Sequence, residues 1–185
     1  MKTRKTIIAA ALTFGAMTLA GQAFAAAADA NAPPPEMGFF ITSKGLGKGG
    51  DLGGIAGADA HCQSLAAAVG KGNRTWHAYL STQGPGAVNA RDRIGKGPWA
   101  NAKGVIMATN LDSLMYDNSN FNYEHILDEN GNHFSSRIDG TYDTTEHDVL
   151  TGTQLDGTAF PAGDDKTCNK WPSSTTGSDV VGHAD

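Results

Sequence analysis

Carboxylate and amide side chains that could bind a cation or a sugar hydroxyl lie in the Thr-, Gly- and Asp-rich region after residue 150. Calcium takes oxygen ligands of these types. Asp156 and Asn169 are the candidate ligand-binding residues, and Asp164 and Asp165 are the candidate metal ligands. Calcium is thus a candidate cofactor without a supporting motif, and solvated loop residues are the alternative interpretation.

Trp99 is a further candidate for contact with a sugar. It lies in a loop that contains glycine and proline, with Asn101 and Lys103 close by in the sequence. An aromatic ring has an apolar face that can stack on a sugar while a neighbouring amide binds the sugar hydroxyls. The alternative is that the indole packs over a short helix and closes the core.

Histidine and cysteine spacing indicates neither a zinc site nor a catalytic thiol. The chain has six histidines and two cysteines, Cys62 and Cys168, but no His-x-His, His-Glu-x-x-His, Cys-x-x-Cys or Gly-x-Ser-x-Gly. Zinc could be bound only by residues that the fold brings together. The Asp-x-Asn-x-Asn segment at 128–132 begins like an EF-hand loop, but a histidine follows where glycine is required. We therefore expect a hairpin turn there.

The first 25 residues have the pattern of a secretory signal peptide. Three basic residues precede an apolar run at 7–20, and Ala23-Phe24-Ala25 provides the small residues that signal peptidase requires. Cleavage after Ala25 would give a periplasmic or secreted protein with no membrane insertion. The chain has a net charge of −5, and the signal contributes none of the acidic residues. This acidity disfavours nucleic acid, heparin and anionic lipid as partners.

The remaining sequence predicts one domain around a helix. Residues 26–36 are rich in alanine and proline and predict a flexible leader, so the domain spans 37–185. Apolar positions recur at three- and four-residue steps in Ile55, Ala58, Cys62, Leu65, Ala66 and Val69. Gly70 is placed to end this helix in the left-handed conformation.

Short strands and turns are predicted around the helix. Residues 75–82 alternate, with Trp76, Ala78 and Leu80 on the buried face and Tyr79 and Ser81 on the other. Residues 37–43 and 105–108 predict strands, 111–115 a short helical turn and 126–134 a hairpin with an Asn-Gly turn. The region after residue 150 has few core-forming residues apart from Trp171 and needs crosslinks, metal or packing to hold it.

Residues 53–62, Gly-Gly-Ile-Ala-Gly-Ala-Asp-Ala-His-Cys, resemble the helix start Gly-x-Arg-Gly-Ala-Asp-x-x-Cys of the endostatin-like branch of the C-type lectin-like fold. Residues 76–81 resemble the strand that follows, and 151–157 and 168–171 resemble later loop motifs. The chain is also similar to exported bacterial lectin-like proteins of uncharacterised function. The resemblance implies an α+β fold with a mixed sheet, one main helix and long irregular loops.

The same resemblance implies four cysteines in nested disulfide pairs, the first with the last and the two middle ones together. Only Cys62 and Cys168 have counterparts here, so the resemblance places them in different pairs and implies a C-terminally shortened domain. The alternative is a direct Cys62–Cys168 bond, as expected of an exported protein with two cysteines. Closing so long a loop would stabilise the fold by about 4–5 kcal/mol in the chain-entropy model.

The function that the resemblance implies is that of an exported, non-enzymatic module that binds a glycan or an extracellular protein through its loops. Calcium-dependent sugar binding in the wider superfamily needs Glu-Pro-Asn or Gln-Pro-Asp together with Trp-Asn-Asp, and none of these triplets occurs. A hydrolase or cysteine-modifying enzyme on the same scaffold is one alternative. A structural envelope protein without a small-molecule site is another.

Overall fold

The computed structural model of the protein describes residues 32–117, 120–135 and 147–183. The predicted signal peptide, residues 1–25, and the leader up to residue 31 lie outside the described residues. Pro33–Asp185 forms one unit that contains α1 (Gly54–Ala68), β1 (Trp99–Ala100), β2 (Ile106–Ala108), α2 (Leu111–Tyr116), β3 (Asp148–Leu150) and β4 (Val181–His183). This mixture of helices and small sheets confirms the predicted α+β class. None of the helices in the described part is long and apolar enough to cross a membrane.

The strands form two antiparallel pairs, β1 with β2 and β3 with β4. β2 and α2 confirm the strand predicted at 105–108 and the helical turn predicted at 111–115. The described residues thus contain two separate two-stranded sheets and a few isolated bridges, rather than one continuous mixed sheet.

The segment at 37–43, predicted as a strand, is paired with the rest of the described fold at two isolated bridges, Met37 with Ala100 and Ile41 with Asp128. The N–H groups of Gly38 and Phe39 both donate to the carbonyl of Ala100, at 2.8 and 3.0 Å. The N–H of Ile41 donates to the carbonyl of Leu127 at 2.9 Å. Two successive donors on one acceptor break the alternation that a ladder requires, so the segment forms isolated bridges and no continuous strand.

Helix α1 confirms the predicted helix and its glycine cap. Ala58, Leu65 and Ala66 are buried on its inner face, and Cys62 on the same helix is partly buried against the core. Gly70 is left-handed at φ 75°. The N–H of Gly70 donates to the carbonyl of residue 67 and the N–H of residue 71 to that of Ala66, at 3.0 and 2.8 Å. These two bonds form a Schellman motif, which satisfies the last carbonyls of the helix.

Residues 75–80 have the predicted alternation, but residues 75–82 are not a hydrogen-bonded strand. Trp76, Ala78 and Leu80 are buried, as expected. The N–H of Trp76 donates to the amide oxygen of Gln63, and the N–H of Ala78 donates to the carboxylate of Asp59. Side chains of α1 thus replace a neighbouring strand as hydrogen-bond acceptors. The strand assignment was wrong for this reason, although the burial predicted for Trp76, Ala78 and Leu80 was right.

The Asn-Gly segment near residue 130 forms the predicted turn without hairpin strands among the described residues. The N–H of Gly131 donates to the carbonyl of Asp128 at 3.0 Å. The carboxylate of Asp128 accepts the N–H groups of Asn130 and Asn132 at 2.9 and 2.7 Å. The residues before the turn pack into the core, and they bridge to the segment at 37–43 instead of to a hairpin partner.

Asp59 on α1 holds the helix against residues 75–82 and Arg93. The Nη2 of Arg93 donates to both carboxylate oxygens, at 2.8 and 2.6 Å, and the N–H of Ala78 donates at 2.8 Å. The Nδ1 of His77 lies 3.2 Å from Oδ2. The Arg93 side chain is only 11% exposed and that of Asp59 is 24% exposed. Removing the carboxylate would therefore leave a largely buried guanidinium without its counter-ion.

We expect Asp59→Asn to lower the free energy of unfolding at pH 7 by about 2–3 kcal/mol, less than for a fully buried pair because Asp59 is partly solvated. Burial raises the pKa of Asp59, but hydrogen bonds from Arg93, Ala78 and His77 outweigh burial and hold the pKa below its usual value. The carboxylate therefore stabilises the fold above the unfolded pKa, and this stabilisation is lost as the pH falls through the folded pKa.

Urea denaturation between pH 2 and pH 7 measures this effect. The stability of the original protein should fall more steeply below pH 4 than that of Asp59→Asn. Asp164→Asn, at an exposed carboxylate, should change stability by less than about 0.5 kcal/mol. Parallel pH profiles for the original protein and Asp59→Asn would contradict the role of this carboxylate.

Candidate functional site

Trp99 and Asn101, the first candidates for sugar contact, are part of the interior. Trp99 is 8% exposed, and its Nε1 donates to the carbonyl of Ile94 at 3.2 Å. Asn101 is 1% exposed; its Nδ2 donates to the carbonyl of His125, and its Oδ1 accepts two backbone N–H groups of the following loop. A buried ring, and a buried amide that already bonds backbone groups through both its nitrogen and its oxygen, do not support the predicted sugar contact at either residue. The alternative, that Trp99 packs into the core, agrees with this burial.

The loop that carries the second cysteine contains a left-handed turn. Residues 168–171, Cys-Asn-Lys-Trp, have φ values of 45°, 59°, 70° and 74°. The N–H of Trp171 closes the turn on the carbonyl of Thr167 at 2.7 Å. The left-handed conformation costs about 1–2 kcal/mol per residue for ordinary L-amino acids, and only Asn169 here is of a type that adopts it readily. The surrounding contacts must therefore offset several kcal/mol.

Asp165 supplies the polar part of that compensation. Its Oδ1 accepts the N–H and the hydroxyl of Thr167 at 2.9 and 3.0 Å, and its Oδ2 accepts the N–H of Asn169 at 2.8 Å. Burial raises the pKa of Asp165, but these donors outweigh burial and lower it. Because both oxygens are bound to the loop itself, Asp165 orders the turn instead of being open to a metal ion. Asp164 is exposed beside it.

Trp171 supplies the apolar contacts that offset the strain of the left-handed turn. Its side chain is fully buried, as predicted for a core residue. The ring packs with Ala58 and Leu80, and its Nε1 donates to the carbonyl of Ser81 at 2.7 Å. Its own carbonyl accepts the N–H groups of residues 52 and 54, at 2.8 and 3.0 Å, at the start of α1. Gly152 is required beside it, because a Cβ there would lie 2.5 Å from the indole ring.

Ser81, which was predicted to face outward, is in fact fully buried. Its hydroxyl lies 2.6 Å from that of Thr153 and accepts the N–H of Ala90 at 2.9 Å. Burial of this hydroxyl is tolerated because both contacts satisfy it. Residues 75–82 are therefore covered on both faces at this point, by Trp171 and by the loop that contains Thr153.

A groove of about 300 Å³ lies beside this buried layer. Its lining includes Tyr79, Thr151, Thr153, Gln154, Leu155 and Phe160. Leu155 is 96% exposed, at the tip of a turn closed by the N–H of Gly157 on the carbonyl of Gln154. The groove therefore combines aromatic rings, hydroxyl groups and one fully exposed aliphatic side chain.

Asp156 follows Leu155 and orders the same turn. Its Oδ1 accepts the hydroxyl and the N–H of Thr158, at 2.6 and 3.0 Å, which lower the pKa of Asp156. Its carbonyl accepts Nη1 of Arg91 at 2.9 Å. Asn169 is exposed, and its side-chain amide donates to Thr176. The predicted loop residues thus act mainly by ordering loops.

The sequence analysis did not identify the groove residues as binding candidates, although the sequence contained one indication of them. Tyr79 belongs to the outward-facing half of the alternating segment, where an aromatic side chain has no core to fill. Leu155 and Phe160 could not be identified from the sequence, because single apolar residues in a polar region form no periodic pattern that would indicate their role. Among the described residues, the group able to hold a metal ion is His147, Asp148 and His183, and it includes neither Asp164 nor Asp165.

Cys62 and Cys168 are both free thiols in the structure. Burial, together with the nearby Asp59 carboxylate, raises the pKa of Cys62 to about 11. Burial and the charge of Asp179 also raise the pKa of Cys168. Raised pKa values keep thiols protonated and unreactive at neutral pH. Neither cysteine therefore has the properties of a catalytic thiolate.

No protein-family model matches the chain, and no curated protein shows significant sequence similarity to it.

Trp171→Ala should lower the free energy of unfolding by about 3–5 kcal/mol, because a fully buried side chain leaves a cavity. Trp171→Phe retains most of the apolar volume but leaves the Ser81 carbonyl unpaired, which costs about 1–3 kcal/mol. Tyr116→Ala, at a ring that is 69% exposed, is the control and should change stability by less than about 1 kcal/mol. Urea denaturation measures all three, and equal effects of Trp171→Ala and Tyr116→Ala would contradict the anchoring role.

Cys62 should resist alkylation in the folded protein. With iodoacetamide at pH 7.5, it should become modified only after urea unfolds the chain, since its thiol is largely buried and protonated. Peptide mapping by mass spectrometry under non-reducing conditions reads out the modification. Rapid modification of native Cys62, or a peptide that joins Cys62 to Cys168, would contradict this expectation.

Proposed function

We propose that this chain is an exported, non-enzymatic binding module of the C-type lectin-like fold, endostatin-like branch, and that the groove beside Leu155 binds a glycan. The fold assignment is supported by the order of its parts. A helix that carries Cys62 is followed by an extended buried segment, and the described part of the second half consists mainly of irregular loops, with Trp171 packed in the core. Export is supported by the pattern of residues 1–25.

The observation that carries the proposal is the composition of the groove. Tyr79 and Phe160 provide aromatic rings in a lining that also contains Thr151 and Thr153. The hydroxyls of these threonines donate to the carbonyls of residues 180 and 158, so toward a ligand they would serve as acceptors. Sugars present an apolar ring face and a rim of hydroxyl groups, so rings flanked by hydroxyls match both features. A volume of about 300 Å³ is at the lower end of the range for small-ligand sites. We therefore expect one or two sugar rings to be bound.

The hydroxyl of Tyr79 is suited to binding a ligand. Its hydrogen-bond partner is the thioether sulfur of Met115 at 3.5 Å, which is a weak acceptor. Burial raises the pKa of Tyr79, and the Arg91 charge only partly opposes this, so the group is a neutral donor at physiological pH. A sugar hydroxyl would be a stronger acceptor than the sulfur, and the side chain would then exchange partners at little cost.

The loops around the groove are held in place before any ligand binds. The N–H of Ala159 donates to the side chain of Asn89 at 2.9 Å, and the N–H of Lys166 donates to that of Gln83 at 2.8 Å. Asp156 fixes the turn that carries Leu155. A preordered loop loses less conformational entropy on binding. The net charge of −5 favours neutral or cationic glycans over sulfated ones.

A protein surface is the second candidate ligand, and Leu155 is the observation that favours it. An aliphatic side chain that is 96% exposed on an ordered turn can insert into a pocket of a partner protein. A cysteine-dependent enzyme on the same scaffold receives less support, because the pKa values of both cysteines are raised.

A glycan array probed with the labelled protein, in calcium and again in EDTA, tests the proposal. We expect a restricted set of neutral glycans to bind. Phe160→Ala should weaken that binding by about three- to tenfold, which corresponds to the loss of one aromatic contact. Tyr116→Ala removes an aromatic ring that does not line the groove, and this variant should bind as the original protein does. A silent array under both conditions, or equal losses in the two variants, would contradict glycan binding in this groove.

A photo-crosslinking amino acid placed at position 155 tests whether the side chain there contacts a partner protein. The same residue at position 116, which is also exposed, is the control. One discrete protein captured at 155 and not at 116, combined with a silent glycan array, would favour the second candidate. Identical capture at both positions would argue against it.

A further inference from the structure

We propose that His147, Asp148 and His183 form a binding site for a divalent transition-metal ion of the zinc class. This proposal is independent of the glycan groove, because it relies on a different set of side chains. The six histidines show no metal-binding spacing in the sequence. The fold supplies the proximity that the sequence lacks.

The pairing of β3 with β4 brings the three residues together. Asp148 and His183 are cross-strand partners in the antiparallel register. His147 directly precedes β3, outside the strand itself. Successive residues within a strand would point to opposite faces, but His147 is not bound by that alternation and lies on the same side as its neighbour. Its ring contacts that of His183 edge to face, with centroids 5.2 Å apart.

The distances between the ligand atoms suit a metal ion. Asp148 Oδ1 lies 3.1 Å from Nδ1 of His183 and 3.7 Å from Nε2 of His147. One ligand atom from each residue lies within 4.8 Å of the other two. Ligands of a tetrahedral zinc ion, bonded at about 2.0–2.1 Å, lie about 3.3 Å from one another. The two carboxylate–imidazole distances fall on either side of this value. The ligand nitrogens of the two histidines lie within 4.8 Å of each other, so side-chain rotations that bring all three distances to this value would complete the site.

The chemical types of the three ligand atoms indicate which metal ions the site would prefer. Two imidazole nitrogens and one carboxylate oxygen suit zinc, copper or nickel, whereas calcium and magnesium prefer oxygen ligands alone. Three protein ligands leave a tetrahedral ion with one open position for water or a ligand group. Asp148 and His183 are more than half exposed, so an ion could enter without unfolding of the strands. The negative net charge of the chain also favours cation binding.

Binding would fix β3 against β4. Among the described residues, three of each strand are paired in this sheet, and an ion bound to residues of both strands would join them directly. Val181 and Gly182, which precede His183 in β4, line the glycan groove. A bound ion would therefore stabilise one wall of that groove.

Zinc titration of the protein, purified without a histidine tag and stripped with EDTA, tests the proposal. We expect one zinc ion per chain by isothermal titration calorimetry and a higher melting temperature in zinc. His183→Ala and Asp148→Asn should each weaken zinc binding by about tenfold or more, since even the loss of an outer-shell partner costs that much. His61→Ala removes a histidine of α1 and should leave the affinity unchanged. Calcium at the same concentration should not compete.

Two readouts keep this test decisive. Circular dichroism should show that the variants are folded, because both substituted side chains are largely exposed. The imidazole NMR signals of His147 and His183, but not those of His61, should shift on zinc addition. Absence of stoichiometric binding, unchanged affinity in both variants, or equal competition by calcium would overturn the proposal and leave an ordinary surface ion pair between the strands.

Discussion

The fold depends on the burial of a single indole in a region that has almost no regular secondary structure. Trp171 is fully buried against α1 and the extended segment at 75–82, and its Nε1 donates to the carbonyl of Ser81. Its own carbonyl accepts two N–H groups at the start of α1. One residue thus joins the helix, the extended segment and the second half of the chain by apolar packing and by three hydrogen bonds.

The cost of this anchor is a strained backbone. Residues 168–171 are left-handed, although none of them is glycine. Asp165 and Thr167 offset part of the strain by accepting the N–H groups that the turn exposes. Loops held by such side-chain bonds can be rigid without strands. That rigidity connects the anchor to function, because the groove beside Leu155 is built from the same kind of ordered turn.

The sequence was a good guide wherever burial or local turn chemistry decides the structure. The apolar stripe of α1, its Gly70 cap and the burial of Trp76 and Trp171 follow from periodicity and residue type. It was a poor guide wherever a side chain replaces a backbone partner. The acceptor for the N–H of Ala78 is Asp59, and no pattern of strand-forming residues contains that information. The left-handed turn was equally hidden, since it lacks the glycines that usually indicate one. His147 and His183 meet only through strand pairing, so their spacing gave no signal.

Native-state amide hydrogen exchange, followed by NMR, tests the anchoring role of Trp171 most directly. The informative amides are those of Leu52 and Trp171, which lie outside the helices and strands, and that of Gly54, the first residue of α1, whose N–H has no acceptor within the helix. All three are bonded through this anchor. Our account predicts that they exchange only by global unfolding, with the same opening free energy as amides in the middle of α1. Exchange as fast as that of exposed loop amides would show that the second half of the chain opens independently, and would contradict the account.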